Sequence, residues 1–194
     1  MTIPSSASQR EESFLTWYTR AAASDTHDVY FIGSTSKDSF WRLVVELRDW
    51  LTDDHVDSFL ALLRRHQAYR QSTVSQRWTT THTFFGGHIE MAWKSWQTTP
   101  IDEFEFSGLF TRMVDATYTS GLLYKPWGMV DQVFIPINFE NAHWVAGIID
   151  FREWTITVYN SEVSYSENIE TLEQRMRPYM TFIPSLLEAT SGLR

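Results

Sequence analysis

Residues 138–162 read NFENAHWVAGIIDFREWTITVYNSE. His143 and Trp144 open an apolar run, a short polar stretch interrupts it, and a second β-prone run ends in Tyr159, Asn160 and Ser161. Short runs rich in Val, Ile, Thr and aromatic residues, broken by polar residues, spell strands. The pattern predicts a hairpin that turns at Arg152 and Glu153. In that register His143 falls opposite Glu162 and diagonal to Asn160, on one face. Diagonal backbones are about 7–8 Å apart, so the two side chains can meet. A one-residue slip would put them on opposite faces.

An amide oxygen at Asn160 can accept from the imidazole N–H and hold one tautomer, as in Cys-His-Asn sites. Taken alone, a His–Asn pair on a hairpin is usually plain surface. The chain also contains no cysteine, and so no thiol nucleophile, no thiolate zinc site and no disulfide. Ser161 does not replace the thiol, because strand alternation points it away from the Asn160 face.

Outward from the hairpin, QVFIPIN before it makes a third strand. The three predict an antiparallel meander turning at Asn141-Ala142 and Arg152-Glu153. Upstream, SFWRLVVELRDWL predicts a helix ending near Trp50. LTDDHVDSFLALLRRH predicts another, with Thr52 or Asp53 as N-cap. Val56, Phe59, Leu60 and Leu63 there share one apolar face. Asp53, Asp54 and Asp57 suit the start of that helix, and Arg64, Arg65 and His66 its end. Residues 71–96 look extended, rich in Thr and Phe, with a turn at Gly86-Gly87. A further helix is expected within 108–122. The first half of the closing segment is helical, with Leu172 and Met176 on one face. Residues 1–39 are polar and mixed, and are expected to be a partly disordered lead-in with a short helix near Glu11–Ala22. Strands set between helices make an α+β domain over 40–194.

The length of 194 residues suits one domain with a core, and 43% apolar and 15% aromatic residues argue against a disordered chain. A net charge of −8 opposes nonspecific nucleic-acid binding. No run approaches the ~20 apolar residues of a membrane span, and the N-terminus lacks a secretory leader. An intracellular protein, nuclear or cytoplasmic, is expected, with no cofactor. His82, His88 and Glu90 could suggest zinc, but a spacing of six residues across Gly-Gly matches no helical metal motif.

The blocks VFIPINFENAHWVAGIID and TITVYNSE resemble the ubiquitin-like-protein-specific proteases, the SUMO-deconjugating cysteine peptidases, in particular the plant and transposon-related members. WLTDDHVDSFLALL resembles the family's Trp-Leu-x-Asp block, and the blocks stand in the family's order over about 50–187. The resemblance implies a papain-like fold of central antiparallel strands flanked by helices. It makes His143 the catalytic base and Asn160 its orienting partner, where the family usually has Asp. It also implies that Trp50 and Trp144 wall a tunnel for a Gly-Gly tail, and that Asp53 contacts the modifier. The family continues past this point with a Gln and an Asp-Cys-Gly segment, which would place the thiol half beyond Arg194. The core would then be incomplete, with apolar surface left for a protein partner.

Three functions follow from the resemblance. The chain is a cysteine-type peptidase that processes or deconjugates a ubiquitin-like protein, inactive as it stands for want of a thiol. Alternatively it is a pseudoprotease that binds such a protein, or a nonfunctional fragment of a transposon-derived protein.

Overall fold

A computed structural model describes residues 7–46, 49–69, 77–100, 103–118, 123–139, 143–162 and 169–191. The chain divides into two compact units, Met1–Ser58 and Phe59–Arg194.

In the first unit, helix α1 (Ala7–Arg20) precedes a hairpin of β1 (Thr26–Val29) and β2 (Gly33–Ser36). Gly33 takes φ +94°, a conformation open to glycine because it has no Cβ. Phe14, Trp17, His27 and Trp41 gather their rings at centroid distances of 5.0–6.4 Å. The segment before residue 39 thus carries a helix, a hairpin and part of an aromatic cluster. A π-helical turn (Lys37–Trp41) leads into the short α2 (Arg42–Glu46). Of the helix expected to end near Trp50, the described part reaches Glu46, and Asp49 and Trp50 lie outside it.

Helix α3 (Asp53–Tyr69) forms where the sequence predicts it, but only part of the predicted face turns inward, with Leu60 buried and Val56 half-buried. His55, Asp57, Ser58, Leu60, Ala61 and Arg64 are buried, while Phe59 is 60%, Leu62 48% and Leu63 37% exposed. Polar partners explain why His55 and Arg64 are buried beside Leu60. The buried His55 ring stacks on Phe40 at 4.1 Å and bonds the Phe40 carbonyl through Nε2 at 2.9 Å. Further along, Arg64 is 1% exposed, lies 3.7 Å above the Tyr124 ring and donates to the Thr80 hydroxyl. A guanidinium so stacked and hydrogen-bonded can be buried.

The second unit is built on a sheet of order β3-β4-β5-β6, from β3 (Trp78–Thr80), β4 (Gln132–Phe139), β5 (His143–Asp150) and β6 (Thr155–Tyr159). The last three form the expected antiparallel meander. The first turn expected, at Asn141-Ala142, lies outside the described residues. Edge strand β3 pairs in parallel with β4, an addition that no local pattern announces. Pro136 is tolerated in β4 because β3 pairs with β4 only as far as Phe134.

Val133, Ile135, Ile137 and Phe139 of β4 and Val145 and Ile149 of β5 are buried in one core with α4 (Phe84–Trp96), α5 (Gly108–Val114) and α6 (Ile169–Ser191). Two local readings give way here. Gly86 and Gly87 do not turn; they lie inside α4. A Cβ at Gly86 would stand 2.9 Å from the Tyr179 hydroxyl of α6, so glycine lets the two helices approach. The last helix does not stop halfway either, but runs through Pro178 and Pro184 to Ser191. Each interior proline disfavours a helix by about 3 kcal/mol. Burial of Tyr179, Phe182, Ile183 and Leu186, all 2% exposed or less, offsets that cost.

No helix among the described residues is long and apolar enough to cross a membrane.

Candidate functional site

Hairpin β5–β6 positions the predicted pair. Ala146 pairs with Tyr159 and Asp150 with Thr155, so continuing the register to the start of β5 sets His143 opposite Glu162. Along β6, Ile156 and Val158 are the more buried residues, and Asn160 continues their face. His143 is 3% exposed and shares the core face with its β4 partner Phe139.

His143 Nε2 lies 2.7 Å from Asn160 Oδ1. The backbone N–H of Glu162 donates to the same oxygen at 2.9 Å. That second bond decides the chemistry of the first. A backbone amide can only donate, so the Asn160 atom facing it is the oxygen. Nε2 must then carry the ring proton, and the neutral ring holds its basic lone pair on Nδ1. The arrangement can accept a proton at Nδ1 while Asn160 keeps the ring oriented. An amide orients the ring as a carboxylate does, but adds no charge to favour imidazolium. The 194 residues include no cysteine, so the chain itself brings no thiol to that nitrogen.

The turn that sets this register rests on a residue the sequence reading passed over. Asp150 Oδ1 accepts from the backbone N–H of Arg152 at 2.9 Å and of Glu153 at 3.3 Å. Its Oδ2 accepts from Gln132 Nε2 at 2.7 Å. The Gln132 bond first, then the turn amides and Arg152, hold the carboxyl down at about 2, against the opposing effect of desolvation. An Asp before a turn is a known local signal, since its side chain bonds backbone two residues on. Trp154 closes the turn at φ 53°, a left-handed conformation rare for a bulky residue.

Trp144 is half-buried, on the opposite face of β5 from His143. Trp50 is 63% exposed, and Asp53 is the exposed first residue of α3. Both belong to the first unit and His143, Trp144 and Asn160 to the second. Among the described residues no three His, Cys, Asp or Glu side chains are grouped as a metal would need.

Two solved structures share this fold at sequence identities that speak for the fold alone. One is described as the SUMO protease Ulp1 with its catalytic cysteine oxidized to a sulfenic acid (16% identity, TM-score 0.50, 92% of this chain and 70% of that one). Another is the C-terminal Ulp1 protease domain in complex with Smt3, the yeast ortholog of SUMO (16% identity, TM-score 0.53, 96% and 71%). No curated protein sequence matches the chain. The sequence pattern of the Ulp1 protease family, C-terminal catalytic domain, matches residues 49–194, and the chain belongs to that family of cysteine peptidases.

Proposed function

We propose that this chain is a binding module for a ubiquitin-like protein, built on a Ulp1-type peptidase scaffold and without hydrolytic activity of its own. The observation that carries the reading is an ordered His143–Asn160 pair, with its tautomer fixed, in a chain of 194 residues and no cysteine. Thiol catalysis needs a thiolate beside the base, and the base alone does not cut. His143 and Asn160 are the remnant of the catalytic machinery in this reading. Trp50, Asp53 and Trp144 are its modifier contacts, with the two tryptophans flanking the Gly-Gly tail. The 63% exposure of Trp50 supports this, because large aromatics often carry binding energy at interfaces. Smt3 bound to the related domain supports the class of partner.

The test is binding of a ubiquitin-like protein with and without its Gly-Gly tail, together with a precursor-cleavage assay. The tailed form should bind more tightly, Trp50→Ala and Trp144→Ala should each remove the difference, and no cleavage should occur. Equal binding of both forms would reject the tail contact. Cleavage that disappears in His143→Ala would reject the non-hydrolytic reading.

A further inference from the structure

A second site lies between the end of β3, α5 and Tyr124. Its empty volume, open solvent included, is about 260 Å³. The innermost part has room for about one water-sized group. Thr80, Thr81, His82, Arg112, Tyr118 and Tyr124 line it.

Two of these side chains carry buried polar atoms that no other described residue uses. His82 is 6% and Thr81 5% exposed. Among the described residues neither ring nitrogen of His82 has a hydrogen-bond partner, and neither does the Thr81 hydroxyl. Burying such groups without a partner is destabilising. Packing alone would be better served by apolar side chains. Aromatic rings of Phe84, Tyr118 and Tyr124 surround the imidazole at centroid distances of 5.2–6.1 Å, which leaves the recess as the direction for its polar edge.

Arg112 is the charged side chain among the described lining residues. Its guanidinium stands 6.0 Å from the Tyr118 ring. Behind the wall, buried Arg64 lies over Tyr124 and bonds Thr80. No acidic side chain is among the described lining residues, in a chain whose net charge is −8. A metal cation is a poor occupant beside two guanidiniums and without a carboxylate. A group of negative charge with several acceptor oxygens meets every donor.

We infer that this recess binds a small oxyanion, one oxygen entering against Thr81 and His82 and the remainder facing Arg112. Burial first, then the charges of Arg64 and His88, lower His82 to about 4. The ring is therefore neutral at pH 7 and offers one N–H to the anion.

The experiment uses the full chain at constant ionic strength, with sodium phosphate or sodium acetate replacing chloride. Thermal unfolding and the ring resonances of His82 are followed together. A saturable rise in Tm, accompanied by movement of the His82 resonances, is expected with phosphate, acetate or both. Which of them acts tells a phosphate from a carboxylate site. Arg112→Gln, on the exposed side of α5, should weaken the affinity about tenfold, the loss of one charge-assisted hydrogen bond. His82→Phe should abolish the effect. Identical Tm in all three salts with unmoved His82 resonances would mean that the recess holds water only, and would overturn the inference. So would an Arg112→Gln variant that binds as tightly as the parent. Should His82→Phe not fold, the parent and Arg112→Gln measurements decide.

Discussion

His143 Nε2 and the backbone nitrogen of Glu162 meet at one atom, Asn160 Oδ1, at 2.7 and 2.9 Å. A single amide oxygen thereby ties together the start of β5 and the chain leaving β6. It fixes both the imidazole tautomer and the end of the hairpin, so its removal acts on stability as well as on the site.

Asn160→Ala removes the acceptor from a buried N–H and from the Glu162 amide. Urea unfolding should show a loss of about 1–3 kcal/mol. Asn160→Asp keeps an acceptor oxygen in place and should lose much less at pH 7. Asn160→Ala as stable as the parent would mean that the oxygen organises nothing.

His82 makes stability fall in mild acid. Its ordinary value of 6.5 is lowered to about 4 by burial, Arg64 and His88. Between these values the unfolded chain takes a proton that the folded chain refuses. The contribution is therefore whole above pH 6.5 and is lost as pH falls through about 4. The Tm of the parent should drop over this window more steeply than that of His82→Phe. Parallel Tm curves for the two proteins would contradict the assignment.

Asp150 acts at lower pH. Its carboxyl sits at about 2 rather than 3.8, chiefly through the Gln132 bond. The stability it adds is complete above 3.8 and disappears as pH drops toward 2. In Gln132→Leu, an NMR titration of the Asp150 carboxyl should move up toward the ordinary value. An unchanged titration would show that the turn amides, not Gln132, set it.

Gly86→Ala tests the approach of α4 to α6. The added methyl would meet the Tyr179 hydroxyl at 2.9 Å, and Tyr179 is 2% exposed with little room to yield. A loss of about 1–3 kcal/mol is expected, as for an overpacked core. Gly87→Ala meets nothing within 4 Å and should leave stability equal or slightly higher. Equal effects at the two glycines would rule out the contact.

The sequence by itself determined the hairpin, the register that carries His143 to Asn160, the span of α3 and the absence of a thiol. Alternation and helical spacing are local, and a strand of period two has only two faces to choose from. It determined only part of the face of α3 that turns inward. The apolar pattern names Val56, Phe59, Leu60 and Leu63, and Leu60 is buried, but Phe59 and Leu63 are exposed while the ring of Tyr124 and the hydroxyl of Thr80 take Arg64. Nor could it tell that Gly86-Gly87 lies inside a helix, that α6 continues through two prolines or that β3 pairs in parallel with β4. Each of these is decided by a partner distant in the chain. Tyr179 lies against Gly86, the core holds the proline-bearing helix, and Gln132–Phe134 receive Trp78–Thr80. Local propensities differ by about 1 kcal/mol or less for most residues. Burial of one large side chain contributes about 1.5–3 kcal/mol, so packing outweighs propensity wherever the two conflict.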